Sequence, residues 1–168
     1  MTSAGDSAPR AVARSAARLQ AVQALYQIEV SNADAGAAID QLTSYGLGRE
    51  VEGAVLAEAD VELFGDIVRG QCARQGEVDG HINEAMRGRR LSRLDSVVRA
   101  IVRAGAYELV ARADIPVRVI INEYVDLAHA FFDGGQASFV NGVLDRLART
   151  LRSAELETAD RDGTTPAG

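Results

Sequence analysis

Residues 91–109 have the sequence LSRLDSVVRAIVRAGAYEL, in which apolar or small residues recur every three or four positions. These positions are Leu91, Leu94, Val98, Ile101, Gly105 and Leu109. Because an α-helix turns once in about 3.6 residues, this spacing places all of them on one face. The stretch therefore predicts an amphipathic helix whose apolar side packs against other helices.

The same helical period continues on both sides of this stretch. Downstream, Pro116 stands where a first helical turn suits its fixed φ angle, and the run that follows ends at the Asp133-Gly134-Gly135 turn. A final run ends at Leu151. Downstream positions on the helical period are Val117, Ile120, Tyr124, Leu127, Phe131, Val140, Val143, Leu147 and Leu151.

Upstream, the pattern predicts one long helix followed by shorter ones. The long helix carries Val12, Ala16, Leu19, Val22, Tyr26 and Val30. A short helix over Ala35–Leu42 follows, with Asn32 as its expected N-cap. Another begins near Phe64 and is expected to break near Gly76. Since no segment alternates with a period of two, the fold class is all-α, with about six to seven helices between residues 10 and 152.

One local motif disagrees with this interpretation. Asn141-Gly142 lies between apolar pairs, which is a strong short-range signal for a β-hairpin. The helical period nevertheless runs through it to Leu151, and the strands would be very short. We therefore predict a helix in which Gly142 is a close-packing position.

The ends and one internal segment lack apolar residues to bury. Residues 1–9 are expected to be disordered, and residues 153–168 are expected to form a flexible tail that ends the chain. Gly46, Gly48 and Gly53 interrupt the pattern, so residues 45–58 are predicted to form a mobile loop.

Composition argues against catalysis. All 18 basic residues are Arg, so the chain has no lysine for a Schiff base or a P-loop. A single cysteine, Cys72, and two histidines, His81 and His129, leave no disulfide framework and no spacing for a metal site or a catalytic triad. We expect no catalytic residue, no metal and no cofactor. The absence of a signal-like start or a long apolar run, together with the lone thiol, indicates a cytoplasmic protein without a membrane segment.

The net charge of −6 hides two basic segments. In the first, Arg10, Arg14 and Arg18 follow one another at four-residue steps, and no acid lies between Asp6 and Glu29. On a helix they would share one stripe, which could bind phosphates and stack on bases. The alternative is a solvated helix face. On either interpretation the stripe is expected to be exposed, so that replacing Arg14 and Arg18 with Ala would leave the fold intact.

The second basic segment contains Arg87, Arg89, Arg90 and Arg93. Its position between two predicted helices favours a structural role, in which it pairs with the acidic residues of 29–66, over nucleic-acid contact. Aromatic residues flank the later glycine turn, namely Phe131, Phe132 and Phe139. They could stack on bases, although at least one is expected to belong to the core.

Four stretches in order resemble the NusB family. They are ARSAARLQAVQALY at residues 13–26, RAIVRAGAYEL at 99–109, IPVRVIINEYVDLA at 115–128, and FVNGVLD at 139–145. The resemblance covers roughly residues 10–152. It departs from the pattern at Arg89, which stands where an aromatic residue is usual, and at Val98, where an acid is common.

This resemblance implies a fold of two small helical sub-bundles and a role in transcription antitermination. The family's arginine-rich RNA-binding motif would lie on the first helix, onto which Arg14 and Arg18 map, with Arg10 ahead of them. The turn before the last helix, with Phe131, Gly135 and Phe139, is similar to the rest of that RNA surface. The implied partners are boxA single-stranded RNA, the ribosomal protein NusE, and RNA polymerase with other Nus factors.

Two other functions remain open. A similar helical domain precedes the catalytic domain of some ribosomal RNA cytosine methyltransferases, but we expect the polar tail to end this chain without one. The third interpretation is a helical adaptor that binds proteins only.

Overall fold

The computed structural model describes residues 7–45 and 60–162, and this part of the chain is built from helices, with no strand. The all-α prediction is therefore confirmed. None of these helices is long and apolar enough to span a membrane. The helices are α1 (Ser7–Ser31), α2 (Ala35–Tyr45), α3 (Val61–Ala73), α4 (Gln75–Ala85), α5 (Ser96–Ala111), α6 (Val117–Phe131), α7 (Gln136–Leu151) and α8 (Ser153–Asp162), with a short 3-10 turn (Leu91–Arg93) before α5.

Helix α5 lies at the centre of the fold. Ten of its 16 residues are buried, and α1, α3, α4, α6 and α7 all pack against it. Helices α1, α2 and α3 also pack with one another, while α4, α6 and α7 surround the other side of α5. This gives the two sub-bundles that the family resemblance implied, joined where α1 and α3 meet α5. Burial of this apolar surface from both sides is the main contribution to stability.

Two glycines allow the helices to approach closely. A Cβ on Gly105 would lie 3.0–3.1 Å from side-chain atoms of Leu144 and Tyr124, and one on Gly70 would lie 2.0 Å from the Tyr107 hydroxyl oxygen. At Gly142 the nearest such atom is the Arg146 Nη2, at 3.7 Å. The prediction that Gly142 is a close-packing position is therefore wrong. The helix prediction there is confirmed, since α7 runs through Asn141-Gly142 without a hairpin.

The sequence predicted some of the helix boundaries within one or two residues, but not the residue that caps α2. Asn32 does not cap α2; it has φ +53° and lies just after α1, and Asp34 accepts a hydrogen bond from the Ala37 amide at the start of α2. The break expected near Gly76 lies at Arg74, between α3 and α4. Pro116 immediately precedes α6, within one residue of its expected place.

The C-terminal segment departs from expectation. Residues 153–162 form the helix α8, within the segment 153–168 for which the sequence predicted a flexible tail. Glu155 accepts a hydrogen bond from the Val117 amide at 2.9 Å and so caps α6. Arg152 donates to the carbonyl oxygen of Ile115 at 2.8 Å. The spacing of apolar residues could not predict this helix, because polar side chains make these contacts.

Other expectations about the ends fall mostly outside the described residues. Helix α1 begins at Ser7, three residues before the expected start, and residues 1–6 and 163–168 lie outside the described part of the chain. Tyr45 is the last residue of α2, and the remainder of the loop predicted over 45–58 lies outside the described residues.

The glycine contacts predict opposite effects of one substitution at two sites. Gly70→Ala should lower the free energy of unfolding by about 1–3 kcal/mol, because the new methyl group must displace the Tyr107 ring. Gly142→Ala should raise it by about 0.5–1 kcal/mol, because alanine favours the helix and the site has room. Urea unfolding of the two variants measures both effects. Equal destabilisation would contradict the packing described for Gly142.

Candidate nucleic-acid interface

Arg18 is buried inside the fold. Its side chain is 1% exposed, and it donates from Nε and Nη2 to the two carboxylate oxygens of Glu108, each at 2.9 Å. Glu108 is itself fully buried and also accepts a short hydrogen bond from the Tyr124 hydroxyl. Three donors on α1 and α6 therefore converge on one carboxylate of α5. The expectation that Arg18 lies on an exposed stripe is wrong.

The protonation states of this network follow from its charges. Burial alone would lower the pKa of Arg18, but the hydrogen bonds and charge of Glu108 raise it above its ordinary value. Burial, reinforced by the Glu108 charge, holds the pKa of Tyr124 well above its ordinary value. Near neutral pH Arg18 is therefore a guanidinium and Tyr124 a neutral phenol, and both donate to Glu108. The Arg18–Glu108 ion pair joins α1 to α5, and because it is buried it is not accessible to RNA.

The other two arginines of α1 are accessible to different degrees. Arg10 is exposed, and no described acid pairs with it. The Arg14 side chain is 23% exposed, and its Nε lies 3.7 Å from an Asp60 carboxylate oxygen. Nearby, Ser15 donates to the Glu123 carboxylate of α6 at 2.8–2.9 Å. Of the predicted stripe, the structure thus leaves Arg10 and part of Arg14 at the surface.

The second basic segment lies at a sharp reversal of the chain after α4. Arg87 has φ +50° and Gly88 has φ +93°, both in the left-handed region. Arg87, Arg89, Arg90 and Arg93 are all exposed, and none of them forms an ion pair with a described acid. The expected pairing of these four arginines with the acids of 29–66 is not found among the described residues.

Other arginines pair with that segment: Arg14 lies beside Asp60, Arg112 donates to Asp66, and two arginines of α5 pair with Glu29. Arg99 and Arg103 both donate to Glu29 of α1, and Arg103 also donates to Asp79 of α4 at 2.9 Å. The hydrogen bond from Arg99, opposed in part by burial and helped by both guanidinium charges, lowers the pKa of Glu29. These residues border a cleft of about 790 Å³, but its cations on α5 are already neutralised.

Arg89 and Arg93 meet the predicted aromatic turn in one groove of about 340 Å³. The Arg89 guanidinium carbon lies 5.6 Å from the centre of the Phe139 ring, which is cation–π geometry. Gly135 lies at the start of α7, whose N-terminal amides carry partial positive charge. The groove is lined by Arg89, Arg93, Leu94, Asp95, Val98, Gly135, Gln136 and Phe139.

The three phenylalanines divide between surface and core. Phe131 is 41% exposed at the end of α6, whereas Phe132 and Phe139 are partly buried and pack against the core. The structure therefore brings Gly135 and Phe139 together with Arg89 and Arg93. Phe131 is outside this groove, and no described contact joins the groove to Arg10, Arg14 or Arg18.

The sequence signal for the groove was the run of arginines at 87–93. From the sequence, this run is expected to pair with the acidic segment. In the structure Arg89 instead contacts Phe139, which lies more than forty positions further along the chain. Among the described residues there is no group of three His, Cys, Asp or Glu side chains that could hold a metal ion. The groove with Arg89, Arg93 and Phe139 is suited to binding an anionic, partly aromatic ligand.

Fold and surface together define a small protein of two helical sub-bundles with an arginine-lined groove. The chain belongs to the NusB family, whose model matches residues 15–149. It is 48% identical over 140 residues to the transcription antitermination protein NusB of Caulobacter vibrioides, covering 83% of this chain and 94% of that protein. It is 47% identical over 144 residues to the protein of the same name from Sphingopyxis alaskensis, covering 85% and 97%.

A solved structure of NusB from T. maritima has the same fold. It superposes with a TM-score of 0.68 at 27% identity and covers 86% of this chain and 96% of that one. The resemblance inferred from the four sequence stretches is thereby confirmed at the level of the family and of the fold.

The buried position of Arg18 predicts a large effect on stability. Arg18→Ala should lower the free energy of unfolding by about 3–5 kcal/mol, because it leaves the Glu108 carboxylate buried without its partner. Arg10→Ala, on the same helix but exposed, should change it by no more than about 0.5 kcal/mol. Urea unfolding measures both variants.

A second substitution separates the unpaired charge from simple loss of packing. In an Arg18→Met background, Glu108→Gln should restore part of the lost stability, because it removes the buried carboxylate charge. If Arg18→Ala were as stable as Arg10→Ala, the buried ion pair would be refuted.

Proposed function

We propose that this chain is a transcription antitermination factor that binds boxA single-stranded RNA together with the ribosomal protein NusE. The complex would act on RNA polymerase with other Nus factors, in the cytoplasm where transcripts are made. Membership of the NusB family supports this proposal, as do relatives named transcription antitermination protein NusB. The structural observation that carries it is the groove in which Arg89 lies over Phe139.

The groove has the chemistry that single-stranded RNA requires. Unpaired bases stack on aromatic rings and on guanidinium planes, and phosphates pair with arginine. Arg89 supplies a guanidinium plane where relatives are expected to carry an aromatic residue, so stacking is retained while a positive charge is added. Arg87, Arg90 and Arg93 are exposed nearby and have no described acidic partner to displace.

We assign two parts to the RNA surface. One is the exposed end of α1 with Arg10 and Arg14, and the other is the turn before α7 with Phe131, Gly135 and Phe139. Arg18 is a positioning residue in this proposal, because its ion pair with Glu108 fixes α1 on α5. The gap between the two parts could be bridged by the RNA strand, with NusE enlarging the surface and raising affinity by joint binding.

The proposed role is binding rather than catalysis. The Ser15 hydroxyl donates to the Glu123 carboxylate, and Glu123 also lies 3.9 Å from Arg18, so this pair contributes to the packing of α1 on α6. Two other functions compete with this proposal. One is that of the helical domain of an rRNA cytosine methyltransferase, and the other is that of an adaptor that binds proteins only. Binding of boxA RNA by this chain with NusE separates the adaptor from the proposal, since an adaptor would bind the protein partner without the RNA.

Variants of the groove test the proposal directly. Phe139→Leu should weaken boxA RNA binding by about 1–3 kcal/mol, the usual contribution of one base–aromatic stack, while leucine keeps the core side of the ring filled. Arg89→Ala should weaken binding and make the slope of log K against log salt shallower by about 0.7 if it removes one phosphate contact. Salt titrations with NusE present measure both effects.

Arg149→Ala is the matched control. Arg149 is 72% exposed on the last turn of α7 and pairs only with its helical neighbour Asp145 among the described residues. The Arg149→Ala substitution therefore removes one positive charge at a distance from the groove. Arg146 is less suitable, because it donates to the Ala85 carbonyl oxygen and joins α7 to α4. Equal losses in Arg89→Ala and Arg149→Ala would indicate diffuse charge attraction and contradict a defined RNA groove.

A further inference from the structure

Asp60 is held in place by two hydrogen bonds, one to α1 and one within α3. Its backbone amide donates to the Ala13 carbonyl oxygen at 3.0 Å, and its Oδ1 accepts from the Leu63 amide at 3.0 Å as the N-cap of α3. One bond fixes the backbone and the other fixes the rotation of the carboxylate. The second oxygen, Oδ2, is consequently held towards Arg14, at 3.7 Å from its Nε.

The contact between Asp60 and Arg14 is an ion pair without a hydrogen bond. The Arg14 Nε is buried and has no described hydrogen-bond acceptor, and 3.7 Å is too long for one. The Arg14 side chain as a whole is 23% exposed. Asp114, another acid in this region, is occupied by Arg112, which donates to both of its oxygens. Among the described residues, Asp60 is therefore the acid that forms an ion pair with Arg14.

We propose that Asp60 sets the affinity of the α1 surface by competing with RNA phosphate for Arg14. This inference rests on the function proposed above. In the free protein the Asp60 carboxylate partly neutralises Arg14. A phosphate that approaches the partly exposed Arg14 side chain must share its charge with a carboxylate that the Leu63 amide holds in place. RNA binding is accordingly weaker, and releases fewer counterions, than Arg14 alone would produce.

The chain offers a clean way to remove this charge. Asn is as good an N-cap as Asp, so Asp60→Asn keeps the hydrogen bond to Leu63 and removes only the negative charge. Asp60→Ser is a second variant that also keeps a capping oxygen. Glu62→Gln is the matched control, because it makes the same change in net charge two residues away. Glu62 is exposed and has no described ion pair.

Binding of boxA RNA in the presence of NusE is measured across a salt series for each variant. Asp60→Asn should bind about two- to fivefold more tightly, which corresponds to the loss of one exposed ion pair that RNA must otherwise disrupt. Its slope of log K against log salt should be steeper by up to about 0.7. Asp60→Ser should agree with it, and Glu62→Gln should change both quantities less. Thermal unfolding checks that the variants keep the wild-type fold.

The Arg14→Ala background gives the decisive comparison. If Asp60 acts through Arg14, then Asp60→Asn should have no more effect in that background than Glu62→Gln has. The inference is overturned if Asp60→Asn matches Glu62→Gln in the wild-type background, or if it weakens binding, in which case Asp60 orients Arg14 for the RNA.

Failure of the proposed function is distinguishable from failure of this inference. If the unsubstituted chain with NusE does not bind boxA RNA at low salt, the function proposed above is refuted, and this inference is refuted with it. If the unsubstituted chain binds and only the Asp60 variants fail to differ from Glu62→Gln, the RNA-binding function stands and the competition by Asp60 is refuted.

Discussion

The fold depends on one buried carboxylate. Glu108 lies on the central helix α5 and receives hydrogen bonds from Arg18 of α1 and Tyr124 of α6. Removing these charges from water costs several kcal/mol, which only close and complete pairing can offset. The register of α1 and α6 on α5 is thereby restricted, because a shift of one turn would leave charged or polar groups buried without partners. Arg18 therefore places the N-terminal half of α1 where Arg10 and Arg14 reach the surface.

The arginines divide according to their partners. Arg18, Arg99 and Arg103 are tied to acids on other helices and hold the sub-bundles together. The arginines at 87–93 are exposed and have no such partner among the described residues, and two of them, Arg89 and Arg93, share a groove with Phe139. An acidic protein can in this way keep a local basic surface, since the charges that stabilise the fold neutralise one another in the interior. The net charge of the whole chain thus says little about its binding surface.

The same principle applies to the α1 surface on a smaller scale. Arg14 is neither buried like Arg18 nor unpaired like Arg89, because Asp60 is anchored beside it. Free guanidinium groups give strong but unspecific attraction for any polyanion, whereas a partly neutralised one requires a phosphate in a favourable position. A balance between Arg14 and Asp60 would therefore make RNA affinity depend more on the groove at Phe139, where a base could stack on the ring.

The helical class, most helix positions and the family resemblance followed from the sequence, because they depend on periodic apolar residues and on short motifs such as those at 99–109 and 139–145. Helical period alone could not distinguish Arg18 from Arg10 and Arg14, since all three share one stripe. The acid that pairs with Arg18, Glu108, lies 90 residues further along the chain. The tertiary structure decided which arginines are internal, that Arg89 meets Phe139, and that Glu155 of α8 caps α6. Charges separated far along the chain reveal their partners only when folding brings them together, because electrostatic and hydrogen-bond energies depend on distance and burial rather than on position in the sequence.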